Sequence, residues 1–558
     1  MKDQLKKLVD QSLPEIVVEL NHPGLKPETL QYEIELPKVK AHGDLSINLA
    51  FQIGRTLKRN PFEVALSCHK VLEAKMKTAS QWGTWIKEIT VEKPGFINFR
   101  FTSRSFLDQL LEISKQNEHF GEPTVGKGLK AIIEFVSANP TGPLTIAHGR
   151  QAAIGDTLAR ILKTLGYGVH KEFYLNDAGR QIRLLGESLW VRYQELFGIK
   201  AELPEEGYRG AYLIDLAKAL KTEKGEQLLS QGKEKSIEFV TAFAAKSILS
   251  GIEAELKRVG VVFDQYFSEQ SLYEKKLVDR ALQKLDEKKM TYEADGALWF
   301  RSTQFGDDKD RVLRKQSGEF TYLAPDIAYH ETKFERGFKL LVNLWGPDHH
   351  GYIPRLKAAC KALGHPADSL RILIVQLTTL YRAGEPVRMS TRAGEFVTLQ
   401  ELVDEVGVDA TRFFFLMRKV ESHLDFDLEL AKQKTDENPV FYLQYAHARI
   451  SSIIAYAQRK IDSECSLDLI REPEEIDLIK KMIEYPEILE QAAEFLEPYR
   501  VVDYLRELAT LFHKFYTLHR VVTDDEALTK ARLFLTDCVR IVLRNGMTIL
   551  GVSAPSKM

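Results

Sequence analysis

AIIEFVSANPTGPLTIAHGRQAAIGDTLARILKTLGYGVHKEFYLND (131–177) decides the fold. AIIEFV (131–136) is a short apolar run that reads as a buried strand, and AHGRQAAIGDTLARILKTLG (147–166) has helical periodicity ending on a glycine. GVHKEFYLND (168–177) reads as a second strand followed by a helix start. Strand, helix and strand in such close succession describe a parallel α/β unit.

Upstream, FGEPTVGKGLK (120–130) is a Gly- and Pro-rich connector that places the first boundary. Residues 1–120 mix helical patterns, as in Leu5, Leu8, Val9 and Leu13, with strands such as ITVEKPGFINFRF (89–101), where Ile97, Phe99 and Phe101 alternate. GEPTVGK (121–127) mimics a phosphate-binding loop, but Gly128 stands where Ser or Thr should hold magnesium, and the segment precedes a strand instead of following one. Downstream, the α/β rhythm stops near 185 and gives way to a Lys- and Glu-rich, mostly helical stretch until about 290. It resumes with KLLVNLWG (339–346), a helix and RILIVQL (371–377). The expectation is a doubly wound domain over 121–400, interrupted by an insertion at 185–290 and followed by a helical domain over 401–558.

Composition narrows the class. With 77 basic and 79 acidic residues the net charge is -2, which excludes a globally basic nucleic-acid binder while leaving local basic surfaces open. Four scattered cysteines without a C-x-x-C pair argue against a disulfide scaffold and a structural zinc site. The sequence contains no apolar stretch of signal-peptide or membrane-span length, so a reduced, cytoplasmic protein is expected.

Polar clusters stand at strand exits, where open parallel sheets bind ligands. After the first strand, His148 lies at a helix start, either to meet an anion or simply to cap the helix. Glu134, inside an apolar strand, must bind a cation or pair with another part of the fold. Tyr322 and Asp326 are four apart in TYLAPDIAYH (321–330), as a site pair or as a core tyrosine beside a Pro-Asp turn. WGPDHHGY (345–352) follows a strand and fits ribose and phosphate recognition. GEPVRMSTRAGEFVTL (384–399) is a polar loop with Arg388 and Arg392 around Met389 and Ser390, suited to charge on a transferring phosphoryl group.

Taken in this order, the clusters resemble a class I aminoacyl-tRNA synthetase. Ala138-Asn139-Pro140-Thr141-Gly142-Pro143-Leu144-Thr145-Ile146-Ala147-His148 stands where the HIGH signature lies, and RMSTR (388–392) where KMSKR lies. The surroundings, including SANPTGPL, FYLNDAGRQI, GYRGAY, YLAPDIAYH and NPVFYLQYAHARI, are similar to arginyl-tRNA synthetases over nearly the whole chain. The chain departs from the signatures at Thr145, Ala147 and Thr391, and Gly142 occupies the turn position where a compensating lysine is often found.

The resemblance implies a Rossmann-type doubly wound parallel sheet with a helical insertion, an N-terminal α+β domain that meets the tRNA elbow, and a C-terminal helical bundle that binds the anticodon. It implies an arginine–tRNA ligase of protein biosynthesis that uses ATP with Mg2+, carries no structural metal and acts on L-arginine and tRNA(Arg). A cytoplasmic monomer without membrane contact is implied as well. Catalytic roles fall to His148, Arg388, Ser390 and Arg392. Glu134, Ser137, Asn139, His148, Tyr322 and Asp326 would bind arginine; Thr145, His148, Gly346, Asp348, His349, Met389 and Ser390 would bind ATP. Phe96, Asn98, Tyr442, Tyr445 and Arg449 would meet tRNA, with strand-core and helix-core packing as the other reading of these five. Two other functions stay open: a paralogue that binds tRNA without charging it, and a class I ligase for another amino acid.

Overall fold

The computed structural model describes residues 1–22, 24–37, 39–122, 125–387 and 397–558. The N-terminal helix Lys2–Glu19 buries Leu5, Leu8, Val9, Leu13 and Ile16, one stripe at helical spacing. It packs beside an antiparallel sheet of β1 (Ile34–Glu35), β2 (Leu45–Ile47), β3 (Ile86–Glu92) and β4 (Phe96–Phe101), in the order β1-β2-β4-β3.

The central sheet begins with β5 (Lys130–Glu134), which leads through the helix Ile146–Thr164 to β6 (Gly168–Leu175). After the helices Arg180–Glu195, Tyr212–Lys224 and Lys233–Arg258, the chain returns to the sheet as β7 (Gln265–Ser268). It then builds a small antiparallel sheet from β8 (Thr291–Ala294), β9 (Ala297–Phe300) and β10 (Arg311–Arg314). The helix Leu323–Glu335 precedes β11 (Leu340–Trp345), and the helix Ile353–Leu363 precedes β12 (Leu370–Ile374). The five strands run parallel in the order β12-β11-β5-β6-β7. This is a doubly wound sheet whose strand order reverses between β5 and β11.

The helical stretch expected over 185–290 is therefore interrupted. β7 pairs in parallel with β6, Phe173 opposite Tyr266, and the β8–β10 sheet begins where that stretch was expected to end. β13 (Thr378–Arg382) pairs with β14 (Glu385–Pro386) and, in parallel, with β15 (Leu424–Asp427), so the region after 400 is not helical throughout. Beyond it, the helices Pro439–Ala457, Pro473–Ile483, Tyr485–Glu494, Tyr499–Leu518 and Glu526–Leu550 pack as a bundle. Among the described residues no helix is long and apolar enough to cross a membrane.

A row of polar side chains crosses the centre of the parallel sheet. Glu134 on β5 is in register with Glu172 on β6 and Asn343 on β11. Buried carboxylates there demand partners, and the helix Leu323–Glu335 with its C-cap Arg336 supplies them. Lys333 donates to Glu134 (2.6 Å) and Asn343 (3.3 Å), Arg336 grips Glu172 with both terminal nitrogens (2.6 and 2.9 Å), and the Tyr329 hydroxyl donates to Glu172 (2.8 Å). Two carboxylates thus meet two cations, which settles the alternative at Glu134 in favour of an internal ion pair.

One guanidinium joins distant parts of the chain. Buried Arg412 donates to the Asp156 carboxylate (2.8 Å) and to the carbonyls of Val259 (2.8 Å) and Leu550 (3.0 Å). These lie on the helix after β5, at the end of the helix Lys233–Arg258 and at the end of the last helix.

Candidate active site

The crevice beyond the C-terminal ends of β5 and β11 is the place where open α/β sheets bind ligands. β5 leaves the sheet through Val136 and Ser137, both left-handed, with φ 66 and 41. For a β-branched valine this conformation is costly, and such strain gathers at functional sites. The turn directs the Ser137 hydroxyl at β6, where it accepts from the Tyr174 N–H (3.1 Å). Asn139 donates to Gln181 (2.7 Å), and the Tyr212 hydroxyl donates to the Thr141 carbonyl (2.5 Å). The loop between strand and helix is thereby tied on three sides.

Thr145 is the N-cap of the helix Ile146–Thr164, and its backbone N–H donates to His148 Nδ1 (3.1 Å). Burial pushes the imidazole down to about 4. His148 is therefore neutral near pH 7, and with Nδ1 accepting, its proton sits on Nε2. Sequence left capping and anion contact as alternatives; the geometry shows the cap, with Nδ1 accepting from Thr145.

Two residues on, Arg150 is fully buried. It donates to the carbonyls of Gln376 (2.8 Å), Leu377 (3.3 Å), Lys419 (3.1 Å) and Ser422 (2.9 Å). Its planar fork thus fastens the helix to the chain leaving β12 and to the chain entering β15. Arg150→Lys keeps the charge but not the fork, and should cost about 2 kcal/mol. Urea unfolding measures this; an unchanged first transition would show that the four carbonyls do not depend on the fork.

On the β6 side the pocket is acidic. Asp326 stands in the first turn of the helix Leu323–Glu335, partly buried. Burial pushes its carboxyl up to about 7; the Tyr352 hydroxyl pulls it back, and the Glu134 and Glu269 carboxylates add to the rise. Burial also raises the Glu269 carboxyl against the hydroxyls of Tyr174 and Tyr273. The charges of Glu269, Asp326 and Glu134 all act on Tyr174, so the three carboxyls gather around this residue. Carboxyls that burial holds up in this way, Asp326 and Glu269, suit a guanidinium. Tyr322, one turn before Asp326, is 87% exposed and leaves room for a ligand to cover its ring.

At the end of β11, a side chain at Gly346 would come within 2.7 Å of the Asp348 carboxylate, so the backbone there stays open. Asp348 and His349 are exposed and 3.1 Å apart. Arg388, Met389, Ser390 and Arg392 lie outside the described residues.

The residues expected to meet tRNA divide. Phe96 is partly exposed and packs edge-on to Phe51 (4.9 Å), whereas Asn98 is 2% exposed and its amide nitrogen has no partner. Asn98 is thus buried in the sheet centre beside Ser46, because β4 is covered on both faces. In the bundle, the Arg449 guanidinium is sandwiched between Tyr445 (4.4 Å) and Tyr516 (4.8 Å), both exposed. Tyr442 is half-buried against His513 (4.5 Å).

Three family models cover most of the chain. Residues 3–101 match the arginyl tRNA synthetase N terminal domain, 109–425 the class I (R) tRNA synthetase catalytic domain and 443–558 the DALR anticodon binding domain. The chain belongs to the arginyl-tRNA synthetase family. An arginine–tRNA ligase of Syntrophotalea carbinolica is 45% identical over the full length of both chains, and arginine–tRNA ligase 1 of Halalkalibacterium halodurans is 43% identical over the same extent. A solved structure from Campylobacter jejuni, described as an arginyl-tRNA synthetase, is 37% identical, covers 81% of this chain and 99% of its own, and has a TM-score of 0.75. The arginyl-tRNA synthetase of Thermus thermophilus shares the fold over the full length of both chains, with a TM-score of 0.77 at 21% identity.

For an arginyl-tRNA synthetase chain with Thr145 in the HIGH-like signature, the geometry gives that residue a clear task. Its backbone and hydroxyl both meet His148 Nδ1 (3.1 Å each), setting the imidazole. Sequence reasoning missed Glu269, Tyr174, Lys333, Arg150 and Tyr516. Arg150 and Asp156, charges among the small and apolar residues of HGRQAAIGD (148–156), were a legible signal, since buried charges on a helix require partners elsewhere.

Proposed function

We propose that this chain is an arginine–tRNA ligase that activates L-arginine with ATP and transfers it to the 3′ end of tRNA(Arg), releasing AMP and pyrophosphate. The observation that carries the reading is the group of carboxyls from Asp326, Glu134 and Glu269 around Tyr174 at the end of β6, in the sheet whose β5 leads into the His148 helix. A ligase for a neutral amino acid would have no use for three carboxylates there, and lysine would not fill a planar fork. Arginine would place its guanidinium at Asp326, with Tyr322 over it and Ser137 and Asn139 along the loop. Lys333 pairs with Glu134 and fixes it, so Glu134 acts from behind the site.

In the first step an oxygen of the arginine carboxylate attacks the α-phosphorus of ATP, and the bond to pyrophosphate breaks. His148 Nε2–H and the positive end of its helix would hold the nucleotide, with Thr145, Gly346, Asp348 and His349 around it. Arg388, Met389, Ser390 and Arg392 would serve the leaving phosphates. Magnesium enters with the nucleotide, and no side chain is assigned to it. In the second step a ribose hydroxyl of the terminal adenosine attacks the arginyl carbonyl, loses its proton, and AMP leaves. The division at 1–120, 121–400 and 401–558 would give these tasks separate domains, in a cytoplasmic monomer.

The test is arginine-dependent ATP–pyrophosphate exchange, run with and without tRNA(Arg). Exchange is expected at least in the presence of tRNA. None in either arm, with tRNA still bound, would favour the non-catalytic paralogue.

Tyr445, Arg449 and Tyr516 are proposed as an anticodon-stacking surface, with Tyr442 behind them; Phe96 is the matching partly exposed ring of the first domain, with Asn98 behind it. Stacking contributes about 1–3 kcal/mol per base. Tyr516→Ala should therefore raise the KM for tRNA about tenfold and leave the arginine KM in place; equal KM values for mutant and parent would remove Tyr516 from the surface.

A further inference from the structure

GYRGAY (207–212) has no part in the functional reading above, yet it touches the loop that leads to His148. It runs between the helices Arg180–Glu195 and Tyr212–Lys224. The first of these helices anchors it. The Tyr208 N–H donates to the Ser188 hydroxyl (3.0 Å), Arg180 pairs with Glu206 (2.5 Å), and a methyl at Gly207 would fall 3.0 Å from Ser188 Oγ. At the far end of the segment, the Tyr212 hydroxyl crosses to Thr141 and donates to its carbonyl (2.5 Å). The ring covers the next residue of the loop, where a methyl at Gly142 would meet Tyr212 Cζ at 3.6 Å, an ordinary contact. Gly210 makes room for the same ring, since a methyl there would fall 2.3 Å from Tyr212 Cε1.

We propose that Tyr212 is a positioning residue for the activation step: its hydroxyl holds the Thr141 carbonyl, and so sets the chain between Asn139 on the arginine side and Thr145 and His148 on the nucleotide side. The two ends of this chain have anchors of their own. Toward β5, Asn139 donates to Gln181 (2.7 Å). Toward the helix, the Leu144 carbonyl accepts from the Leu399 N–H (2.9 Å) and Thr145 bridges to Thr398. Between them Pro140 and Pro143 have no N–H to donate, and the Thr141 N–H is turned back onto the Asn139 carbonyl (2.7 Å). Tyr212 supplies the middle anchor from outside the loop. Gln181 and Ser188 lie on one helix, so both outside anchors, at Asn139 and at Thr141, trace back to the helix Arg180–Glu195. The region between β6 and β7 thereby sets how the arginine carboxylate and the α-phosphate face each other, and touches neither. Misplacing reacting groups by about 1 Å can cost about a hundredfold in rate, so a single bond in this loop has leverage.

The inference rests on the reading of Asn139 and His148 as substrate-facing, and the test separates the two. The first readout does not use activity: hydrogen exchange of the loop amides over 139–145, in the full chain. Tyr212→Phe keeps the ring and drops the bond, and should accelerate exchange at Thr141 and Gly142 about tenfold or more. Unchanged exchange there overturns the tether, whatever the activity. The second readout is ATP–pyrophosphate exchange at saturating ATP and tRNA(Arg) over a range of arginine. Tyr212→Phe should lose about tenfold or more in kcat, with the arginine KM within about twofold, because Ser137, Asn139 and Asp326 keep their own anchors. Gly210→Ala keeps the hydroxyl but displaces the ring, and should lose a similar factor. If both act through one bond, the double variant should fall no more than about threefold below the slower single variant. A general loss of stability gives no such saturation, since independent losses multiply. A kcat for Tyr212→Phe within about twofold of the parent, or losses that multiply to about a hundredfold in the double variant, overturns the positioning role. A parent chain without arginine-dependent exchange would instead overturn the functional reading, leaving the tether to be judged on hydrogen exchange alone.

Discussion

Replacing Asp326 by asparagine should raise the KM for arginine roughly thirtyfold to several thousandfold, because losing one partner of a desolvated charge pair costs about 2–5 kcal/mol. The size of the effect follows from the pocket. Asp326 is partly buried, faces Glu134 and Glu269, and its carboxyl is pushed up to about 7. Glu134 cannot replace it, because Lys333 already occupies that carboxylate at 2.6 Å. A guanidinium that docks here must find the Asp326 carboxylate ionised. Below pH 7 the free chain carries a proton on Asp326 that arginine has to displace, so kcat/KM for arginine should fall about tenfold per pH unit on the acid side and level off above 7. Asp326→Asn should remove that acid limb as well as raise KM. An arginine KM within about threefold of the parent would show that another carboxylate, with Glu269 first in line, receives the guanidinium.

The second large effect concerns stability. Lys333→Met should destabilise the catalytic sheet by about 3–5 kcal/mol, because it leaves the Glu134 charge buried and uncompensated. The surrounding bonds cannot make good the loss. Arg336 and the Tyr329 hydroxyl are committed to Glu172, and burial together with the Lys333 charge drives His330 far below its ordinary range. The neutral imidazole already accepts from Asn343 (2.8 Å) while its other nitrogen meets the Asp326 carbonyl (2.8 Å). The measurement is the first transition of urea unfolding, since a chain with several folding units does not melt in one step. Adding Glu134→Met to Lys333→Met should recover much of the loss, because a matched apolar pair removes the stranded charge. A double variant as unstable as the single one would mean that packing, not charge, was lost.

What the sequence made legible follows the length of the apolar runs. β5, its helix and β6 are long enough to show their periods, and they alone identify the parallel unit. β7 is Gln265–Ser268, four residues of which only Phe267 is fully buried. So short an edge strand between helices carries no period-2 signal that a helical reading would not also absorb. The omission propagated to the site, because Glu269 follows β7 directly and was hidden with it. Glu134 and Asp326 were legible for opposite reasons: one is a charge in an apolar strand, the other a charge after a proline at a helix start. Lys333 was not, since a lysine in the last turn of a helix is ordinarily solvated, and only the register of Glu134 between Glu172 and Asn343 calls for a cation there. Tyr516 stayed hidden because its partners Tyr445 and Arg449 are on another helix, and sequence spacing cannot reveal a sandwich built across two elements.

Arg412 bears on how such chains can be recombined. Its guanidinium holds the Asp156 carboxylate, the Val259 carbonyl and the Leu550 carbonyl at once, and Gly551 is left-handed with no room for a side chain beside it. The terminal helix is therefore not an interchangeable cassette. A chimera that grafts a foreign anticodon-reading bundle onto this catalytic core would have to reproduce a carbonyl at the Leu550 position and a glycine after it, or strand a buried cation at the seam. Lineages that exchanged the bundle would be expected to have changed Arg412 in the same step.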